Sequence, residues 1–499
     1  MKTKELLQAL ATGLFLSITL ITWVPMARGQ TLPYAWGWGV HGQLGNNGAA
    51  NSLVPGAVIT TGVLAGKTVT AMAASYDHSL ALSSDGLVTA WGAGNAGQIG
   101  NGQPGNNSTP NILVPVAVST TGALAGQTVT AIAAGYQFSL ALRSDGVVVA
   151  WGGNLSGQLG DNSTTQRDAP VAVDTAGALL NKTVVAIAAG SSHGLALLSD
   201  GTVAAWGNNA YGQLGNNSTA NSSVPVAVST TGALVGKTVV AIAAGGGDLD
   251  RPHSLALCSD GTVVGWGYNG AGELGDNSGT DSPVPVAVNI TAGTSALFGK
   301  TVVAIAAGSS HSLALCSDGT VAAWGDNFRG QLGNNGTTGS ALVPVAVNTT
   351  AGTSALFGKT VTSIAAGHFH SLALCSDGTL AAWGGNFQGA LGDNTMTHKF
   401  APVAVITTQS FTRVFSGSFA LHTLGLASPC APAVMNLAQY AGVTITGSIG
   451  CTYRIDYTTD LTAPVTWTPL TTNTLANSSY LFIDTNVISG IRFYRTVVQ

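Results

Sequence analysis

The stretch "HSLALCSDGTVAAWGDNFRGQLGNN", from His311 to Asn335, decides the fold because both of its halves recur along the chain. The second half, Trp-Gly followed by a Gly-Gln-Leu-Gly-like element, starts at Trp36, Trp91, Trp151, Trp206, Trp266, Trp324 and Trp383. The first half starts at His78, Phe138, His193, His253, His311 and His370. We align "GSFALHTLG" (Gly417–Gly425) as a degenerate seventh copy, with Gly417 in the histidine position. This nearly fixed spacing of 55 to 60 residues indicates a repeat architecture.

Each repeat supplies four short strands. In the unit around the quoted stretch, Thr301–Gly308 is a continuous apolar run, as expected for a strand covered on both faces. His311–Cys316 is the second strand, and Ser317–Gly319 is a hairpin turn, because Asp-Gly accepts the positive φ angles of such turns. Thr320–Gly325 returns, and Leu342–Val347 follows after a loop. Four-stranded units repeated around an axis are typical of a β-propeller.

The fourth strand and the two ends of the repeats predict how the units are arranged. A proline occurs in every fourth strand, at Pro55, Pro115, Pro170, Pro225, Pro285, Pro344 and Pro402. Because proline cannot donate to a sheet, we place this strand at the outer edge. The repeats begin with a third strand (Leu32–Gly37) and end with a first and second strand. Joining them completes a seventh unit, which favours a closed ring over an open solenoid.

The last part of the chain lacks the repeat. From Met435 to Gln499 polar and apolar residues alternate, as in Tyr453–Tyr457, which is typical of a small β-sandwich. We therefore predict an all-β protein: a seven-bladed β-propeller closed by both termini (residues 30–427) and a C-terminal β-sandwich module (428–499). Cys430 and Cys451 of this module form a possible disulfide in an exported protein.

The N-terminus predicts where the protein is located, and the charge content limits the kinds of partner it can bind. Lys2 and Lys4 precede an apolar run, and Ala27–Gly29 resembles a cleavage site, so residues 1–29 read as a signal peptide. An uncleaved anchor is the alternative; after cleavage we expect no membrane segment. Only 8% of the residues are charged and the net charge is −4, so there is no basic patch suited to a nucleic acid. We expect a secreted or envelope-associated monomer.

The pattern His-Ser-Leu-Ala-Leu, Asp-Gly and Trp-Gly-x-Asn-x-x-Gly-Gln-Leu-Gly resembles the repeats of the regulator of chromosome condensation family, in seven copies over residues 32–427. This resemblance implies a seven-bladed propeller whose last blade is closed by both termini. The founding nuclear protein of the family is a guanine-nucleotide exchange factor that binds chromatin, a role we do not expect of an exported chain. Secreted bacterial members, among them a β-lactamase inhibitory protein that binds its target with one face, are nearer in compartment.

The residues that repeat are interpreted as structural. The histidines recur at one place in each unit, with no paired base or nucleophile, and the Ser-Asp-Gly elements, for example at Asp85, Asp145 and Asp318, are turns. Cys258, Cys316 and Cys375 occupy equivalent positions one repeat apart, which is too far for a disulfide, so they read as small buried residues. We assign no catalytic residue, cofactor or metal; Asp248 and Asp250 alone are too few ligands for calcium.

The residues that vary from one repeat to the next identify a candidate binding face. Strand direction places the turn before each second strand and the loop after each third strand on the same face. That face collects Trp38, Tyr76, Tyr136, Phe138, Tyr211, Tyr268, Phe328, Arg329, Phe369, Phe387 and the charged insertion with Asp248, Asp250 and Arg251. Aromatic residues with a few charges are typical of binding hot spots. We therefore predict a non-enzymatic propeller that binds a protein or a cell-surface component; a propeller-type hydrolase or lyase and a structural adhesion or coat protein are the alternatives.

Overall fold

The computed structural model describes residues 31–428, except 107–109, 248–250 and 337–338, together with the backbone of six strands in the C-terminal segment. The regular elements of residues 31–428 are strands and four single-turn 3-10 helices (Gly62–Leu64, Gly122–Leu124, Gly177–Leu179 and Gly232–Leu234). The strands form seven antiparallel four-stranded sheets, which we number as blades 1 to 7. The prediction of an all-β, seven-bladed propeller is confirmed.

The four strands of each blade follow one another in sequence from the inner to the outer edge. They are Val69–Ala74, His78–Ser83, Val88–Gly92 and Ile112–Ala117 in blade 1; Val129–Ala134, Phe138–Arg143, Val148–Gly152 and Arg167–Ala172 in blade 2; and Val184–Ala189, His193–Leu198, Val203–Gly207 and Ser222–Ala227 in blade 3. They are Val239–Ala244, His253–Cys258, Val263–Gly267 and Ser282–Ala287 in blade 4; Val302–Ala307, His311–Cys316, Val321–Gly325 and Ala341–Ala346 in blade 5; and Val361–Ala366, His370–Cys375, Leu380–Gly384 and Lys399–Ala404 in blade 6.

The first strands of adjacent blades lie beside one another, as strands around a common axis must, and the proline-containing fourth strands form the outer edge. Small residues suit this arrangement, because the apolar clusters lie between blades. In one of them, Leu313 and Leu332 of blade 5 pack with Ala373 and Trp383 of blade 6. All seven tryptophans of the repeat are fully buried. The core of the propeller is therefore a set of interfaces between neighbouring blades.

Blade 7 joins the two ends of the repeat region. Its strands, from the inner to the outer edge, are Ser410–Phe415, His422–Ser428, Leu32–Gly37 and Ser52–Ala57. The closure predicted from the sequence is thus present. The alignment that put Gly417 in the histidine position is wrong, because the turn of this blade is longer than in blades 1, 2, 3, 5 and 6 and the second strand begins at His422.

The C-terminal segment forms a separate unit. Its strands are Val434–Leu437, Gly442–Thr446, Thr452–Thr458, Thr468–Thr474, Ser479–Ile483 and Phe493–Val498. They pair into two antiparallel three-stranded sheets. Cys430, Cys451 and the predicted signal peptide lie outside the described residues.

One repeated hydrogen-bonded group joins adjacent blades, near the end of each blade where its second strand begins. Between blades 5 and 6, the main-chain carbonyl of Gln331 accepts the indole N–H of Trp383 (2.9 Å) and the hydroxyl of Ser371 (2.8 Å). His311 Nε2 lies 2.9 Å from the same hydroxyl oxygen. Because a carbonyl can only accept, the serine hydrogen points to Gln331, and the imidazole must donate through Nε2–H. Four groups from two blades are therefore connected through a single carbonyl.

Six of the seven blade junctions have this arrangement. The histidine and hydroxyl pairs are His422–Ser79, His78–Ser139, His193–Ser254, His253–Ser312, His311–Ser371 and His370–Thr423, at 2.7–3.0 Å. The tryptophan bond to the carbonyl is present at all seven junctions, at 2.8–3.0 Å. Two glycines make room for the junction of blades 5 and 6. A side chain at Gly308 would collide with the His311 ring, and a Cβ at Gly333 (φ +62) would lie 2.5 Å from Trp383 Nε1.

The seventh junction replaces both polar partners together. Between blades 2 and 3 the histidine position holds Phe138 and the hydroxyl position holds Gly194, while Trp206 still donates to the Gln158 carbonyl (2.9 Å). Phe138 is fully buried and packs with Ala196 and Trp206 of blade 3. Because a buried imidazole without an acceptor is costly, the joint change from His–Ser to Phe–Gly preserves the junction.

A second repeated contact lies near the outer edge. Asn335 has a left-handed backbone (φ 60), which asparagine tolerates, and its N–H donates to the Phe400 carbonyl of the next blade (2.8 Å). Asn47, Asn162, Asn217, Asn277 and Asn394 make the equivalent bond to the following blade. This contact explains why Asn follows the Gly-Gln-Leu-Gly element in most of the repeats.

The His–Ser coupling is testable with a double-mutant cycle. We expect His311→Phe and Ser371→Gly each to lower the free energy of unfolding by about 1–3 kcal/mol, because one buried partner loses its bond or its space. The double variant recreates the natural Phe138–Gly194 pair and should lose less than the sum of the two. Urea unfolding of the four proteins measures this coupling; strictly additive losses would contradict it.

The buried histidines also predict a steep loss of stability in weak acid. Burial lowers the pKa of His193, His253, His311 and His422 from 6.5 to about 3. Below their ordinary pKa the unfolded chain takes up protons that the folded chain does not, so the free energy of unfolding falls as pH falls, by roughly 1.4 kcal/mol per pH unit for each histidine. The urea midpoint should therefore drop between about pH 7 and about pH 5. The His311→Phe, Ser371→Gly double variant should drop less, and a midpoint independent of pH would refute the account.

Candidate functional site

The two faces of the propeller have different chemistry. Antiparallel pairing places the turns before the second strands and the loops after the third strands at the same end of every blade. We call this end the aromatic face. The Ser-Asp-Gly turns and the connections between blades lie at the other end, which we call the opposite face. This is the division predicted from strand direction.

A connected group of buried and partly exposed rings lies at the aromatic face over blades 6, 7, 1 and 2. The aromatic cluster consists of Trp38, Tyr76, Tyr136, His368, Phe369, Phe387 and Phe419. Its contacts are mostly edge-to-face, with Trp38 and Tyr76 centroids 4.7 Å apart and Tyr76 and Tyr136 centroids 5.6 Å apart. His368 instead stacks on Phe369 at 3.7 Å. Such pairs stabilise one another beyond simple burial, so the rings are held in place before a ligand arrives.

Phe419 is the central member of the aromatic cluster. Its ring lies 4.9 Å from Tyr76 of blade 1, 4.7 Å from Tyr136 of blade 2 and 4.8 Å from His368 of blade 6. Only a side chain directed toward the propeller axis can reach three blades that stand on both sides of its own. The insertion of blade 4 approaches the same region, since a Cβ at Gly247 would lie 3.3 Å from His368 Nε2. Phe419 and the backbone of Gly247 therefore approach the propeller axis at the aromatic face.

Two arginines of this face rest on aromatic rings. The guanidinium carbon of Arg329 lies 4.2 Å from the Phe387 centroid and 5.1 Å from the Phe369 centroid. Arg251 lies 5.4 Å from the Tyr268 centroid, and Tyr268 contacts Tyr211 at 5.1 Å. Cation–π contacts of this kind hold a guanidinium in place without neutralising its charge.

Most of the residues predicted for the binding face are accessible on it. Phe328 is 75% exposed, Phe387 40% and Tyr136 37%, and Arg251 is also exposed. Trp38, Tyr76, Tyr211, Tyr268, Arg329 and Phe369 are half-buried. Asp248 and Asp250 lie outside the described residues. The structure therefore assembles the aromatic residues and arginines of the prediction, with one exception.

Phe138 is wrongly assigned to the binding face. It is fully buried, because it stands in the histidine position of the junction and not in the turn beside it. Its packing against blade 3 makes it a core residue.

Sequence reasoning missed four residues of this face: His41, Leu155, His368 and Phe419. His41 contacts Trp38 at 5.1 Å, and Leu155 is 92% exposed at the tip of a loop. His368 and Phe419 lie in the turns before the second strands, where blades 3 and 5 have two serines. Comparing that turn across blades would have identified His368, whereas Phe419 was hidden by the misaligned seventh copy.

On the opposite face, lysine and arginine side chains form ion pairs with aspartates of the same blade. The pairs Lys67–Asp85, Arg143–Asp145, Lys182–Asp200, Lys237–Asp260, Lys300–Asp318 and Lys359–Asp377 recur once in each of blades 1 to 6. Each aspartate also accepts a backbone N–H of its own turn, for example Thr320 N to Asp318 Oδ1 at 3.0 Å. Blade 2 has Gln127 at the lysine position, and Arg143 supplies the cation instead. These aspartates are thus turn residues, as the sequence predicts.

The repeated histidines and cysteines are buried between blades. Cys258, Cys316 and Cys375 are free thiols with 2–3% exposure, which confirms their structural interpretation. Among the residues that the structure describes, no three His, Cys, Asp or Glu side chains converge as metal ligands. Nor does that part of the chain contain a helix long and apolar enough to cross a membrane.

Comparison with known families covers nearly the whole propeller. Residues 181–429 match the family model described as RCC1-like domain, and residues 34–82, 85–142 and 145–197 match the regulator of chromosome condensation (RCC1) repeat.

Related proteins agree with this match. The ultraviolet-B receptor UVR8 of Arabidopsis thaliana is 31% identical over 340 residues, which are 68% of this chain and 70% of the receptor. Human E3 ubiquitin-protein ligase HERC2 is 32% identical over 408 residues, 81% of this chain, but the match spans only 8% of the ligase.

Solved structures share the fold. Human WBSCR16 superposes with a TM-score of 0.67 at 24% identity, covering 80% of this chain and 99% of that one. Yeast RCC1, in its complex with Kap60, also gives 0.67 at 23% identity, covering 83% of this chain and 91% of that one.

The separation of core from surface aromatics is directly testable. We expect Phe138→Ala to lower the free energy of unfolding by about 3–5 kcal/mol, because it leaves a cavity between two blades. Phe328→Ala should change it by less than about 0.5 kcal/mol, because the ring is mostly exposed. Thermal and urea unfolding of the two variants measure these losses in the free energy of unfolding. Equal losses would contradict the assignment of Phe138 to the core and Phe328 to the surface.

Proposed function

Because the chain belongs to the regulator of chromosome condensation (RCC1) repeat family, we propose that its propeller is a non-enzymatic binding domain that contacts a protein or a cell-surface component through the aromatic face. The observation that carries this proposal is the aromatic cluster, which runs without interruption over four blades. The buried repeat builds the scaffold, and the side chains that differ between blades supply the surface.

The composition of this face fits binding better than chemistry. Aromatic and arginine side chains are enriched at protein interfaces, and rings already fixed by their neighbours lose little entropy when a partner docks. Near the axis, where a propeller hydrolase or lyase would gather its acids, Phe419 contacts rings of three other blades. A featureless coat protein would not need a clustered aromatic surface.

The relatives support the same class of function. Yeast RCC1 is bound to Kap60 in a crystal structure, and a second study of the yeast protein, Prp20p, describes its binding to Gsp1p and histones. UVR8 is named a receptor. These proteins share the propeller fold with this chain, and the yeast protein is described as binding other proteins. We propose a binding role for the propeller here without carrying over any of their partners.

We further propose that the chain is an exported monomer of the secreted bacterial type, with a cleaved signal peptide at residues 1–29. The basic residues, the apolar run and the cleavage-like site at the N-terminus support this proposal. The relatives named above are eukaryotic, so the assignment rests on this segment alone. Export would place the aromatic face in contact with envelope or extracellular components rather than with nucleic acid.

A matched pair of surface variants tests the binding face. The first carries Tyr136→Ser, Phe328→Ser and Phe387→Ser on the aromatic face. The second carries Val235→Ser, Phe298→Ser and Phe357→Ser on the opposite face, where these side chains are 58–67% exposed. Both remove three exposed apolar side chains and should melt within a few degrees of the wild type.

Chemical cross-linking and affinity capture from envelope and medium fractions then give the readout. We expect the aromatic-face variant to capture at least about tenfold less of the partner than the wild type does, as interfaces with truncated hot spots do. The opposite-face variant should retain it. Equal retention by all three proteins, or loss only in the opposite-face variant, would refute the proposed function.

A further inference from the structure

The cations of the propeller divide into two groups. Eleven Lys and Arg residues lie in the described part of residues 31–428. Eight of them form ion pairs with aspartates: Lys67, Arg143, Arg167, Lys182, Lys237, Lys300, Lys359 and Lys399. Arg413 is half-buried and donates to the Thr70 carbonyl. Arg251 and Arg329 pair with no carboxylate of the described residues, and both stand on the aromatic face.

Arg329 is held in place by stacking and yet keeps its donors available. Its Nη1 lies 3.4 Å from His398 Nε2, but His398 Nδ1 already accepts the Asn386 N–H at 2.9 Å. The single proton of the neutral ring must then sit on Nε2, which leaves no lone pair for Arg329. The guanidinium therefore lies against Phe387 and Phe369 with no acceptor among its described neighbours.

Among the described residues, Asp326 and Glu273 lie near these arginines but form no ion pair with them. Asp326 accepts the Phe328 N–H at 2.9 Å and the Gln331 side-chain amide at 3.1 Å, so its oxygens serve its own loop. Arg329 and Arg251 both act to lower the pKa of Asp326 against the larger effect of burial, so both lie within electrostatic range of this carboxyl group. Glu273 is fully buried, with a pKa raised to about 8 by burial, and is mostly uncharged at neutral pH.

We propose that Arg329, together with Arg251, binds a carboxylate side chain in an acidic segment of a protein partner, whose flanking apolar residues contact Phe328 and Phe387. This inference rests on the proposed function, since it names the chemistry of the partner for the same face. A planar guanidinium presents paired N–H donors that match a carboxylate, and its fixed position reduces the entropy lost on binding. Two arginines are too few to follow a nucleic-acid or polyphosphate backbone, which requires a row of cations.

The probe is a displayed library of random linear peptides, selected against the immobilised full chain. We expect the enriched peptides to carry Asp or Glu beside an aromatic or aliphatic residue. A synthetic copy of an enriched peptide is then titrated against the wild type, Arg329→Met, Arg251→Met and the control Lys300→Met. Methionine keeps the apolar stem on the rings, and Lys300 pairs with Asp318 on the opposite face at 2.6 Å.

Arg329→Met should weaken the peptide at least about tenfold, because a charge-assisted pair is lost, and Arg251→Met should weaken it less because that side chain is more exposed. Lys300→Met should change the affinity by less than about twofold. The inference fails if no peptide is enriched, if the enriched peptides lack acidic residues, or if Arg329→Met binds like the wild type. It also fails if inorganic phosphate displaces the peptide at lower concentration than acetate or glutamate does.

The two proposals can fail separately. If the enriched peptides are apolar and are lost only in the Tyr136→Ser, Phe328→Ser, Phe387→Ser variant, the aromatic face binds partners but not through a carboxylate. If neither that variant nor Arg329→Met affects any captured partner or peptide, both proposals are refuted.

Discussion

The main-chain carbonyl of the middle residue in each Gly-Gln-Leu-like element, such as Gln331, is the group on which the rest of the propeller depends. At six of the seven junctions it accepts an indole N–H and a hydroxyl from the next blade, and that hydroxyl accepts the imidazole N–H of a histidine in the same blade as the carbonyl. These groups are buried, so each needs its partner. The requirement fixes tryptophan, histidine and serine in the sequence, and the bulk of the indole fixes a glycine beside it. The repeated tryptophan, histidine and serine side chains therefore hold neighbouring blades together, and their polar atoms are not available to a substrate.

The division of labour between core and loops follows from this constraint. Because the second and third strands form the junctions, the exposed side chains that differ between blades lie mainly in the turns and loops that the strands support. On the opposite face these segments end in ion pairs that neutralise one another. On the aromatic face they bring together rings from four blades and two arginines that have no carboxylate partner among the described residues. Stability and recognition are thus assigned to different residues of the same short repeat, and this arrangement lets the surface change without disturbing the core.

Periodicity was sufficient to predict the propeller, its closure and the outer position of the proline strand, because each follows from spacing and backbone chemistry. It did not distinguish Phe138 from the loop aromatics, although Gly194 one repeat later marks the same exchange. It also misplaced the seventh copy, because three extra residues in a turn shift the register and conceal Phe419. The contacts between blades that make the aromatic cluster continuous could not be predicted, since they depend on how side chains of distant loops point toward the axis. The stacking of Arg329 on two aromatic rings could not be predicted for the same reason.

Site-specific photocross-linking tests the central claim most directly. A photoreactive phenylalanine analogue placed at position 328 on the aromatic face, and separately at position 298 on the opposite face, would report which surface contacts the partner in envelope or medium fractions. The account predicts a discrete cross-linked species from position 328 that is absent from position 298. Cross-links of equal yield from both positions, or from position 298 alone, would contradict it.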